Sequence, residues 1–183
     1  MENQERLQDY ELSANQWQRW LFSAESVLKA SYFLQKIHDE AFEKIKSAGP
    51  GGGTAPHGFG LDQQSRYFKG KSLELYLKCL FIKSGKLITN GRGTLTLKTH
   101  NLVDLASKVS FKLSLEETNT LNKLSDAVTF WGTYPVPLKH KKWRQNVPGM
   151  GGIQPVYVWS EADENNFSAV LERVQRLVGP LTF

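Results

Sequence analysis

Residues 67–86 read YFKGKSLELYLKCLFIKSGK. Gly70, Lys71 and Ser72 stand in the order of a phosphate-binding loop, yet Leu73, Tyr76, Leu77, Leu80 and Phe81 recur at i, i+3, i+4, i+7 and i+8, which is one face of an α-helix. A phosphate loop needs a strand, a glycine five positions before the Gly-Lys-Ser glycine, and backbone N–H groups that wrap the anion before the helix begins. Here Ser65 occupies the place of that glycine, bulky Arg66, Tyr67 and Phe68 follow it, and the apolar period runs straight through Lys71. The stretch therefore predicts a helix over residues 61–84, stopped by Gly85. The glycine-rich residues 49–60 and the GRGTLTLKT of residues 91–99 fail the same test, since neither supplies the strand, glycine and lysine in sequence.

Outward from this helix the same period recurs. Trp17, Leu21, Ala24, Leu28, Ser31, Leu34, Ile37, Ala41 and Ile45 form one stripe and predict a long helix over residues 14–46, ended by Gly49-Pro50. Trp20, Phe22, Phe33 and Phe42 lie partly off that stripe, so the helix is expected to be covered on more than one side, by its own fold or by another subunit. Asn90-Gly91 divides residues 86–98 into two short Thr- and Leu-rich pieces, which fit a small β-hairpin insertion or a loop. Thr99 is positioned to cap a short helix over residues 100–109, and Ser114 with Glu117 forms a capping-box pattern for another that WGTYPVP breaks at residues 131–137. Ser160 and Asp163 cap a last helix that Gly179-Pro180 ends. These elements predict a single all-α domain over residues 1–183: a bundle built on a long antiparallel helix pair.

Composition bounds the function. The 183 residues carry 23 Lys and Arg against 18 Asp and Glu, a formal charge of +5, which admits an anionic partner without requiring one. The single Cys79 excludes an internal disulfide and a multi-cysteine metal site, and it falls in the apolar part of its helix, where it reads as a small hydrophobe. His38-Asp39 lacks a second pair of ligands at metal spacing, and His57 lacks a local partner, so neither a metal nor any other cofactor is expected. No apolar run is long enough for a bilayer and the first sixteen residues are polar, so a cytoplasmic protein without membrane contact is expected.

The helix at 61–84 followed by THNLVDLASKV resembles the HEPN superfamily of small helical proteins. The residues that carry the likeness are Ser72, Leu73, Glu74, Leu75, Leu77, Lys78, Gly85, His100, Asn101, Leu102 and Leu105, and it extends over about residues 14–137. The resemblance implies a bundle of four or five helices, frequent homodimers, and roles in RNA cleavage, nucleic-acid association, or defence and toxin-antitoxin systems with a protein partner.

Three sets of residues are candidates for function. Glu74 and Lys78 are spaced as an i,i+4 ion pair on a solvated face. Alternatively Glu74 faces inward and takes a hydrogen bond from His100, locking the short helix to the long one. HEPN ribonucleases carry an arginine, four to six intervening residues and then a histidine: the imidazole moves a proton and the guanidinium steadies phosphorane charge. Arg92 and His100 come nearest, with seven residues between them across the hairpin region, so that motif is not matched and the pair is a displaced one. Residues 138–149, LKHKKWRQNVPG, set Lys139, Lys141, Lys142 and Arg144 around Trp143. Such a run can neutralise phosphates and stack a base, or it can be a solubilising loop with Trp143 in the core; Lys83, Lys86, Arg92 and Lys98 would extend it if they lie alongside. The expectation is a noncatalytic, dimeric binding module, with a metal-independent endoribonuclease using Arg92 and His100 as the alternative.

Overall fold

The computed structural model describes residues 2–48, 56–86, 88, 98–131 and 159–180. Six α-helices occur among them: α1 (Glu2–Ala14), α2 (Trp17–Ala48), α3 (Asp62–Lys83), α4 (Leu102–Lys108), α5 (Leu115–Asp126) and α6 (Glu161–Val178), with α5 running on into a π-helical turn, Ala127–Trp131. The fold is all-α, and no strand is present among the described residues. The expected hairpin falls on residues 86–98, of which 87 and 89–97 lie outside the described set.

The α2–α3 pair is antiparallel and is held in register by three small side chains. Ser65 Oγ donates to the Ser31 carbonyl at 2.9 Å, Ser72 Oγ to the Ala24 carbonyl at 2.9 Å, and Cys79 Sγ to the Trp17 carbonyl at 3.3 Å. Donors and acceptors both advance by seven residues, the repeat at which two helices keep one seam in contact. Ser31, Ser65, Ser72, Ala24 and Cys79 are wholly buried, so backbones approach closely along this seam. The Gly-Lys-Ser is thereby accounted for: Gly70 lies inside a helix and the Ser72 hydroxyl belongs to the ladder.

The other helices gather round α3, whose Leu73, Tyr76 and Leu77 are buried against Leu21 and Leu28 of α2, Leu102 and Leu105 of α4, Leu121 and Leu124 of α5, and Phe167, Val170 and Val174 of α6. Gly70 sits where α5 passes into its π turn. A Cβ there would lie 2.7 Å from Val128 Cγ2 and 2.9 Å from the Leu124 carbonyl oxygen. A backbone carbonyl in a helix cannot turn aside, so the clash should outweigh the ~1 kcal/mol that alanine gains over glycine in a helix. Gly70→Ala is expected to lose about 1–2 kcal/mol net in urea unfolding; a gain in stability would show that the two helices can separate freely.

Both capping boxes form as the spacing predicts: Ser114 Oγ accepts from Glu117 N and Ser160 Oγ from Asp163 N, each at 3.2 Å, with the acid returning to the cap backbone. Two boundaries differ from expectation. Asn101, not Thr99, caps α4, its Oδ1 accepting from Asp104 N at 3.0 Å, while Thr99 Oγ1 accepts from Asn101 N one step earlier. The helix expected over 14–46 is α2, which begins at Trp17, and a further helix not expected from the sequence, α1, precedes it; Asn15 stands between the two, its amide donating to the Ile88 carbonyl at 2.9 Å and its Oδ1 accepting from Ile88 N at 2.6 Å. Before that break, α1 is a polar helix with no buried residue described, so no apolar stripe announces it. On α2, Trp20 packs on the core while Phe22, Phe33 and Phe42 are not covered by the described residues.

Candidate functional site

Glu74 sits at the centre of the cluster that joins α3 to α4. Its side chain is 1% exposed; Oε1 accepts from Lys71 Nζ at 3.0 Å and from Lys78 Nζ at 2.5 Å, and Oε2 lies 3.0 Å from His100 Nδ1. Positions i+4 and i−3 on one helix bring the two lysines to the carboxylate, and the cap at Asn101 turns His100 back onto it. Leu102 N, next in the chain, donates to Ser125 Oγ of α5 at 2.9 Å, and that hydroxyl donates onward to the Leu121 carbonyl at 2.7 Å. A seven-residue helix has little stability alone; these ties and the buried Leu102, Leu105 and Ala106 hold it.

Burial by itself would raise the Glu74 carboxyl, but hydrogen bonds from Lys78 and His100 and the charges of Lys78 and Lys71 outweigh it and hold the group below the ordinary carboxylate range. Lys78 is served by this one carboxylate, and there burial wins, so its ammonium titrates below the ordinary lysine range. Two ammonium groups against one carboxylate leave the cluster positive, with Lys71 and the half-exposed His100 at its open edge. Chemically, a carboxylate on Nδ1 fixes the imidazole so that Nε2 is the nitrogen free to exchange a proton.

Of the residues expected from sequence, Glu74 and His100 are thus brought into contact. Arg92 lies outside the described residues, as do Lys139, Lys141, Lys142, Trp143 and Arg144. Lys83 and Lys86 are engaged elsewhere, donating to the Val178 carbonyl at 2.6 Å and the Lys108 carbonyl at 2.7 Å, where each neutralises the negative end of a helix. Cys79 packs as a small hydrophobe, its thiol pushed up to about 11 by burial. Among the described residues no group of three or more His, Cys, Asp and Glu side chains could hold a metal ion, and no helix is long and apolar enough to cross a membrane.

Two further polar clusters join distant elements, and beyond the Ser160–Asp163 cap nothing in the sequence signals them. Lys69, 2% exposed, donates to both oxygens of Glu164 at 2.8 and 2.6 Å, and Trp159 Nε1 adds a bond to Oε2 at 2.8 Å. Asp163 takes Lys123 Nζ at 2.9 and 2.7 Å, Thr120 Oγ1 at 3.0 Å and Ser160 N at 2.9 Å, which ties α6 to α5. Both join elements far apart in sequence, and both engage their polar atoms among themselves, which is the arrangement of structural ties. No protein-family model, no curated protein and no solved structure matches this chain, so the reading of its function rests on its own residues.

Proposed function

We propose that the chain is a noncatalytic, HEPN-like helical module that associates with single-stranded nucleic acid, RNA in the first instance, through a basic segment mounted on a neutral helical body. The distribution of charge carries this reading. Residues 87–97 and 132–158 contain Arg92, Lys139, Lys141, Lys142 and Arg144 and no Asp or Glu; taking those five from 23 cationic residues leaves 18, equal to the 18 acidic ones. The whole net charge of +5 therefore resides in these two segments. A solubilising surface would intersperse the signs, whereas cations free of acids and set around Trp143 suit phosphates and a stacked base. Association within a defence or toxin-antitoxin type system, with a protein partner, belongs to the same proposal.

The test is titration of a labelled RNA oligonucleotide at several salt concentrations. Each phosphate neutralised on a single strand adds about −0.7 to the slope of log K against log salt, so replacing Lys139, Lys141, Lys142 and Arg144 by alanine should flatten the slope by up to about 3 and abolish binding near 0.15 M salt. Equal affinity and slope in the two proteins would remove the segment from the site. A second reading, metal-independent RNA cleavage by Arg92 and His100, is favoured by the Glu74 bond that leaves His100 Nε2 available. The same titrations score cleavage: strand scission lost on His100→Ala and on Arg92→Ala would replace the binding reading with the catalytic one.

A further inference from the structure

Helix α1 stands out as an element packed only near its C-terminal end. Residues 4–10 and Leu12 are exposed, and its sequence carries Glu2, Glu5, Asp9 and Glu11 against Arg6. A helix of 13 residues has marginal stability in water unless a face is buried. Its root, by contrast, is fixed: Trp20 Nε1 donates to the Ala14 carbonyl at 2.8 Å, and Asn15 pairs twice with Ile88. Glu5, Asp9 and Leu12, at i, i+4 and i+7, make one acidic stripe that ends in a leucine 68% exposed. Among the described residues neither Glu5 nor Asp9 has an ion-pair partner.

A surface of opposite character lies at the end of the bundle where α4 and α6 terminate. Val109, Phe111 and Leu177 wall an open groove whose rim carries Lys112, Arg173 and Arg176. Arg173 lies over the Phe111 ring at 4.8 Å and pairs with Glu117, and Arg176 pairs with Glu172, both on the groove's own body; Lys112 has no carboxylate partner among the described residues, so the rim stays positive. Leu177 is 59% exposed. Ala14, at the root of α1, and Val109, at the start of the groove, pack on the same small cluster of Phe81, Ile82 and Ile88. The root of the arm and the groove are therefore neighbours, yet no residue of α1 lines its own chain's groove.

We propose that α1 is a dimerisation arm whose Glu5, Asp9 and Leu12 stripe docks in the Val109–Lys112 and Arg173–Leu177 groove of a second copy of this chain, each copy giving one arm and receiving one. Acid meets cation and leucine meets the apolar walls, and a two-fold axis closes the exchange without leaving a free end. The docking is independent of the nucleic-acid reading, and RNA binding by a monomer would leave it to stand or fall by itself.

Sedimentation equilibrium of the full chain between about 1 and 100 μM tests it with two charge-reversed proteins. Glu5→Lys with Asp9→Lys makes the arm basic; Lys112→Glu with Arg176→Glu makes the groove acidic. Each protein alone sets like charges together, and its dissociation constant should rise at least tenfold, while an equimolar mixture restores both contacts and should dimerise as the wild type does. Circular dichroism of each variant confirms the helical fold, and recovery in the mixture cannot come from misfolded chains. A wild-type monomer at 100 μM, a dimer indifferent to both pairs of changes, or a mixture that stays monomeric would each overturn the proposal.

Discussion

Glu74→Ala is expected to lose about 3–5 kcal/mol of unfolding free energy, enough to leave a small domain partly unfolded at room temperature. The loss does not measure the strength of an ion pair. It arises because Lys78, 5% exposed, would keep its charge in the interior with no carboxylate to answer it. Lys71 and His100, at 30% and 50% exposure, can turn to water. A second variant separates the explanations: Glu74→Leu combined with Lys78→Met removes both charges and fills similar volume, and should recover most of the loss. Urea unfolding followed by helical circular dichroism reads both. A single variant within 1 kcal/mol of wild type, or a double variant no better than the single, would mean that the carboxylate is not what neutralises Lys78.

Asp163→Ala should cost about 2–4 kcal/mol, because one side chain serves three purposes. It closes the capping box of α6, accepts the Thr120 hydroxyl in the interior and pairs with Lys123 of α5. Burial would raise this carboxyl, but hydrogen bonds from Lys123 and Ser160 prevail and hold it below its ordinary 3.8, as Glu74 is held below its ordinary 4.5. Both groups thus bind protons more weakly folded than unfolded. Their contribution is complete above the ordinary values and drains away as the pH falls through the lower folded ones. Wild-type stability should accordingly hold steady from neutrality to about pH 5 and fall steeply below pH 4.5. Asp163→Asn, less stable at neutral pH, should show a shallower acid limb; identical limbs would show that Asp163 is not one of the groups that titrate.

The all-α fold was legible wherever burial leaves a period. Phe167, Val170 and Val174 announce α6 because one face lies against the core, and Leu73, Tyr76 and Leu77 announce α3 because its large apolar side chains keep to one face even though the helix is buried on several sides. The starts of α5 and α6 were legible from local hydrogen bonding, since Ser114 and Ser160 need only a neighbour three residues on. Helix α1 escaped the same reading because it forms from good helix-forming residues without a buried stripe. The bond between Glu74 and His100 could be anticipated only because the elements holding them are close in sequence, 26 residues apart. Lys69 and Glu164 stand 95 residues apart, and nothing local to either signals the other. Such pairs follow from how α6 lies on α3, which period and capping leave open.

The ladder of Ser65, Ser72 and Cys79 onto the Ser31, Ala24 and Trp17 carbonyls works as a vernier. If α3 slid one residue along α2, each donor would leave its carbonyl and all three would be orphaned together, so the alignment of the pair is fixed by its own teeth and not by the span that joins it. The alignment of the pair therefore does not depend on the length of the connection between Ala48 and Asp62, and doubling the length of a loop costs only about 0.6 kcal/mol. Insertions there should alter neither helix, which makes this connection the place where the chain could take in new sequence while the bundle stays as it is.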